Sequence, residues 1–157
     1  MLEQSGIRGN LFMKAWQVIV SFQCFFTFIL MGLIWCVQLV NYPLFPWIDK
    51  DKFCRFEKEH QKRISIIVVP LMLLECFFAV LMLTLARNSF DKKIAFILFG
   101  LLLLIWISTF CLQVPEHLEL SNGFNLKSVK KLVLTNWIRT AAWTLRSLLL
   151  LWMLLRL

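Results

Sequence analysis

No two cysteines in this chain are spaced Cys-x-x-Cys, and four of the five (Cys24, Cys36, Cys76 and Cys111) sit inside apolar runs, Cys54 being the exception. A paired-thiol oxidoreductase lacks its motif here, and the cysteines read as small buried hydrophobes. Charge is also scarce. Only 17% of the 157 residues are charged, against about 25% in an ordinary soluble domain. The sequence holds no internal repeat, no low-complexity stretch and no detachable domain, so residues 1–157 are expected to form one unit. No small-residue cleavage site follows a short apolar core near the N-terminus, so the first apolar run is expected to stay as a helix.

What fills the chain instead is apolar: 60% of residues are hydrophobic, where about 45–50% is usual. A lipid-facing helix must be apolar all round, whereas a soluble helix needs one apolar stripe. The net charge of +8 comes from 17 Lys and Arg against 9 Asp and Glu. These cations flank the apolar runs instead of forming one patch, and no nucleic-acid motif accompanies them. Membrane lipid, not nucleic acid, is the partner they imply.

Four spans follow from runs of about 20 apolar residues. They are expected at about residues 15–40, 64–86, 92–114 and 130–156, with a charged helical extension at about residues 50–63. The first stops at Asn41-Tyr42-Pro43, because proline disfavours helix in the residue before it. Asp49 is a candidate N-cap, Pro70 a kink, and Pro115 the end of the third run. Asn122-Gly123 marks the last turn. Short connections imply antiparallel neighbours, so the fold class is all-α: an integral membrane, antiparallel four-helix transmembrane bundle with both termini on one side. Arg8, Lys14, Arg87, Lys92, Lys93 and Arg156 flank the terminal side. Lys50, Lys52, Arg55, Lys58, Lys62, Arg63, Lys127, Lys130 and Lys131 flank the other. The count favours termini outside, but the second set stands on long amphipathic stretches beside acids, and the side stays open. Trp16, Trp47, Trp137 and Trp152 fall near the expected interfaces, as an aromatic belt would.

Polar side chains gather at the end away from the termini. Gln38, Asn41 and Tyr42 close the first helix, Glu57 and His60 open the second, Gln113, Glu116 and His117 close the third, and Asn136 and Arg139 open the fourth. At about 100° per residue, Glu57, His60, Ile64, Val68, Leu71 and Glu75 share one helical face. Asn136, Arg139, Trp143 and Arg146 share another. Charged groups exposed to lipid cost about 2.5–3.5 kcal/mol each on insertion scales, so both stripes should face inward. Glu75 lies roughly 16 Å into its span at 1.5 Å per residue, between Arg139 and Arg146 in depth. An ion pair with one of them, Arg146 in particular, is the natural structural role.

Glu57-Lys58-Glu59-His60 contains Glu-x-x-His, which puts a carboxylate and an imidazole on one face. His60, His117, Arg139 and Glu57 are therefore the candidate catalytic residues, and Gln38, Tyr42, Gln113, Asn136 and Trp143 the candidate substrate contacts. A single metal ion on His60 and His117, a haem between the two imidazoles, and metal-free acid–base work all remain open, as do ordinary interfacial hydrogen bonds. Pro115 is expected to break the helix and free His117 from helical geometry.

The run Gly32 to Pro43, the segment holding His60, then Val114-Pro115-Glu116-His117 and Asn136-Trp137-Ile138-Arg139-Thr140 resemble, in this order, the anthrone-oxygenase-like family of small four-helix membrane proteins. The likeness spans most of the chain. His117 stands where that family often has asparagine. The resemblance implies the four-helix fold, a bacterial inner membrane, and an oxidoreductase acting on a hydrophobic or aromatic small molecule. The competing expectation is a non-catalytic or cofactor-holding subunit, bound to other membrane subunits or to a second copy. A transporter would call for an inverted repeat or broken helices, which the sequence lacks.

Overall fold

The computed structural model describes the backbone of residues 2–157 and the side chains from residue 10 onward. It is 91% helical, with no strand among the described residues. Four long helices carry the fold: α1 (Leu2–Cys36), α3 (Lys50–Thr84), α4 (Ser89–Ser108) and α6 (Leu126–Leu154). Two short ones, α2 (Tyr42–Leu44) and α5 (Val114–Leu120), extend α1 and α4. Each long helix after the first starts on an Asx residue whose side chain accepts a backbone N–H of the first turn. Asp49 takes that of Asp51 at 3.1 Å, Asn88 that of Asp91 at 2.8 Å and Asn125 that of Lys127 at 2.9 Å.

Three of the helical stretches, Asn10–Trp47, Lys50–Thr84 and Ser89–Leu120, are long and apolar enough to cross a membrane. The fourth, α6, is more polar because it carries three lysines in its first turns, then Asn136, Arg139 and Arg146. The last three are buried, while Leu134, Trp137, Leu145, Leu148 and Leu151 are exposed. α1 packs on α3 and α6, and α4 on the same two, closing a four-helix bundle.

The prolines do not end the helices as the sequence suggests. Pro43 and Pro115 have no N–H to give the carbonyl four residues back, and their rings crowd it. The chain answers by widening the turn before each of them into π-helix, at Val37–Asn41 and Thr109–Gln113. The N–H of Tyr42 reaches the carbonyl of Val37, and that of Val114 reaches Thr109, a five-residue step. The helices then run on, through α2 and a 3-10 turn at Phe45–Trp47 in one case and through α5 in the other. His117 is therefore held inside a helix, not freed from one. α3 also runs unbroken through Pro70.

The chain's halves share one element order, which the sequence does not betray: a long helix, a π turn, a proline two residues on, a short helix, an Asx cap and a second long helix. Two apolar clusters fill the bundle. One surrounds Phe45, Phe53, Ile105, Leu132 and Trp143, and the other Trp16, Val20, Met82, Leu98 and Leu150. Trp16 thus departs from the expected belt. It is 1% exposed, with the Arg87 guanidinium 5.5 Å from its ring centre, whereas Trp47 is 85% exposed.

A buried charged knot ties all four long helices. Glu75 of α3 accepts from Thr27 of α1 at 2.7 Å and from Trp143 of α6 at 3.2 Å. Arg146 of α6 approaches Glu75 Oε1 through Nη2 at 3.1 Å and Nε at 3.3 Å, and its Nη1 donates to the Leu98 carbonyl of α4. Both charged side chains are wholly buried. Such a pair persists only when further hydrogen bonds satisfy it, as they do here.

Candidate functional site

A cavity of about 420 Å³ lies between the four long helices, toward the end where α1 and α4 widen. This is within the usual range for a small-molecule site, about 300–1,000 Å³. Its walls are mostly apolar, with Leu30, Ile34, Val68, Met72, Trp106 and Trp143 among them. The polar groups Tyr42, His60, Gln61, Gln113, His117 and Arg139 also line it. The π turns serve this space directly, since Val37, Thr109, Phe110 and Gln113 are wall residues. A widened turn alters the register of everything after it, which is why such turns recur at functional sites.

Glu57, His117 and Tyr42 form a hydrogen-bonded chain that ends at the cavity. Glu57 is wholly buried behind His117, its Oε1 2.6 Å from His117 Nδ1. His117 Nε2 lies 3.0 Å from the Tyr42 hydroxyl. A carboxylate only accepts, so Nδ1 carries the ring proton, Nε2 accepts, and the Tyr42 O–H donates. Gln61 clasps this arrangement. Its Nε2 is 2.9 Å from Glu57 Oε1, 3.0 Å from the His117 carbonyl and 2.7 Å from Ser121 Oγ. Ser121 in turn donates to the His117 carbonyl at 2.9 Å.

Arg139 stands on the same wall without a carboxylate partner. It is 8% exposed, its Nε has no hydrogen-bond acceptor, and no carboxylate pairs with it among the described residues. Its guanidinium carbon is 5.4 Å from the centre of the Trp143 ring, a stacking contact, and the Tyr42 oxygen lies within reach of a side-chain hydrogen bond from it. A buried cation is costly unless something neutralises it, so the site can receive an anionic or strongly polarised oxygen.

Of the residues singled out in the sequence, Tyr42, His60, Gln113, His117, Arg139 and Trp143 meet at this cavity, and Glu57 supports it from behind. Gln38 and Asn136 are corrections: they are buried but do not line it. Asn136 Nδ2 donates to Gln38 Oε1 at 2.8 Å and Gln38 Nε2 to the Val133 carbonyl at 3.1 Å, so the two amides tie α1 to α6, with Asn136 Oδ1 left unpartnered among the described residues. Glu75 and Arg146 lie in the knot, joined to the cavity by Trp143. Gln61, Ser121 and Thr135 were missed. Gln61 could have been found, because it lies four residues from Glu57 on one helical face.

The rings of His60 and His117 are 6.5 Å apart, centre to centre. His60 packs edge-on to Phe45 and parallel to Phe56, and it separates the cavity from an outer groove beside Asn41 and Arg63. No cluster of three or more His, Cys, Asp or Glu is arranged to hold a metal among the described residues. Both nitrogens of His117 are engaged, so a metal or haem iron could bind there only by displacing Tyr42 or Glu57. As the side chains stand, neither nitrogen of His117 is open to a metal or haem iron.

Comparison of the chain with protein-family models, with curated proteins and with solved structures finds no match.

Proposed function

We propose that this chain is a four-span membrane enzyme that moves a proton on an apolar, ring-bearing substrate and holds the resulting oxyanion on Arg139. The observation that carries this reading is the Glu57–His117–Tyr42 chain ending in an apolar cavity beside a buried guanidinium that no carboxylate pairs among the described residues. Proton removal from a carbon next to a carbonyl puts negative charge on the carbonyl oxygen. As the Tyr42 oxygen takes that proton, its own O–H proton passes to His117 Nε2. Glu57 balances the imidazolium, and Arg139 balances the enolate. A preorganised donor aimed at developing charge in a dry site is a large catalytic term.

The membrane assignment rests on the three apolar helices and on the inward placement of the polar residues of α6. Turned so, α6 presents an apolar outer face and serves as the fourth span, antiparallel to its neighbours, with both termini on one side. The resemblance to anthrone oxygenases extends the chemistry by one step. The carbanion of an activated ring methylene, meeting dioxygen, gives a ketone, with CH2 and O2 becoming C=O and H2O.

Deuterium uptake tests the proton step without assuming the oxidation. Purified protein in neutral nanodiscs is incubated in heavy water with 2-tetralone, a fused-ring ketone with an acidic methylene, and its mass is followed. Exchange above the protein-free rate is expected for the wild type, and exchange at the protein-free rate for Tyr42→Phe. Equal rates with and without the wild-type protein would overturn the reading. With anthrone under labelled dioxygen, one label atom in the ketone would support the oxidative step.

A further inference from the structure

Besides Arg139 Nε, two polar atoms of wall residues are unanswered, the donor Trp106 Nε1 and the acceptor Gln113 Oε1. Gln113 is 1% exposed, and its Oε1 has no hydrogen-bond partner among the described residues. The orientation of this amide is dictated by its neighbour on α6. Thr135 Oγ1 donates its only proton to the Lys131 carbonyl at 2.7 Å. Toward Gln113, 2.7 Å away, that hydroxyl can only accept, so the amide must offer it Nε2. Oxygen and nitrogen of a glutamine are otherwise interchangeable in shape, and here the hydrogen-bond network chooses between them. Oε1 is left as a buried acceptor on a residue of the cavity wall. Thr135 and Arg139 are four residues apart on α6, so their Cβ atoms lie about 5–6 Å apart along one face. The wall therefore carries an unpartnered acceptor and, on the same helix as the residue that orients it, a buried cation that no carboxylate pairs.

We infer that Gln113 is a specificity-determining residue, and that the cavity selects an apolar ring monoanion that also carries a hydrogen-bond donor. Arg139 takes the anion and Gln113 Oε1 takes the donor. An acceptor in the donor's place would face Oε1 lone pair to lone pair. A site built to pair with a hydroxyl rejects the analogue lacking it, because its own buried group is then left unsatisfied. This rests on the cavity assigned above but not on any proton transfer, so a binding experiment separates the two.

Three fluorescent acids serve as probes: 1-naphthoate, 3-hydroxy-1-naphthoate and 3-methoxy-1-naphthoate. Their affinities are measured on the full chain in neutral nanodiscs, with empty nanodiscs subtracted. The wild type is expected to bind the hydroxy acid roughly tenfold or more tightly than the parent, the span of one buried hydrogen bond, and the methoxy acid more weakly than the parent. Gln113→Leu should bring the hydroxy and parent acids to within about twofold of each other. Thr135→Val provides an independent variant that keeps Gln113. It frees the amide to turn, so the preference for hydroxy over methoxy should shrink. Arg139→Met should weaken all three. Equal wild-type affinity for the three acids overturns the inference, and so does a hydroxyl preference that survives both Gln113→Leu and Thr135→Val. Failure of the wild type to bind any of them overturns the ligand class, while the exchange of 2-tetralone still decides the proposed function.

Discussion

Glu75→Ala is expected to destabilise the bundle by about 3–5 kcal/mol, the range for stripping one partner from a buried ion pair. The carboxylate meets Thr27, Trp143 and Arg146, so its removal leaves a wholly buried guanidinium with only the Leu98 carbonyl. A domain's stability is typically about 5–15 kcal/mol, so a large share is lost. Glu75→Leu with Arg146→Leu should recover much of it, because two apolar side chains owe no desolvation cost. Unfolding in mixed micelles, monitored by tryptophan emission, measures all three proteins. A Glu75→Ala protein within about 1 kcal/mol of wild type would show that the knot does not hold the helices together. A double variant no better than the single would show that Thr27 and Trp143, not charge, carry the effect.

This knot was legible in the sequence because both residues sit deep within helical stretches, and an isolated buried charge has few options. The helices were legible from their length and apolar runs, three of which are long and apolar enough to cross a membrane. The two π turns were not. A proline after an apolar run looks like a stop, and only the structure shows that the missing N–H widens the turn before Pro43 and Pro115 instead of ending the helix. The matching halves were hidden because Tyr42-Pro43 and Val114-Pro115 share a backbone path but little else.

At the site, helical phase brought Arg139 and Trp143 to the cavity wall, yet it also pointed to Asn136, which faces Gln38 instead. Phase gives the face of one helix, while a wall is made by four. Gln38 needs a partner as much as a ligand does, and Asn136 was nearer. The Glu57–His117 contact joins residues 60 apart, so no local rule reveals it. Its consequence is chemical: the imidazole, for which metal binding was one of several open readings, is occupied at both nitrogens.

His117→Ala should lower deuterium exchange by roughly 10²–10⁴-fold, the usual contribution of a positioned acid–base group. The expected loss follows from the proton's path. Tyr42 can take a proton from substrate only by passing its own to Nε2, and alanine offers nothing there. Glu57→Gln should fall between this and the wild type. The amide oxygen can still accept from Nδ1–H and hold the ring in place, but the negative charge that balances an imidazolium is gone. Substrate affinity should change little in Glu57→Gln, because Glu57 is not part of the wall, so its loss is expected in turnover and not in KM. Gln61 and Ser121 keep the His117 carbonyl anchored in these variants, so helix content and unfolding midpoint should stay near those of the wild type. If His117→Ala keeps exchange within about threefold of wild type while folded, Tyr42 passes its proton elsewhere, and His60, whose ring centre is 6.5 Å from that of His117, becomes the acceptor to test next.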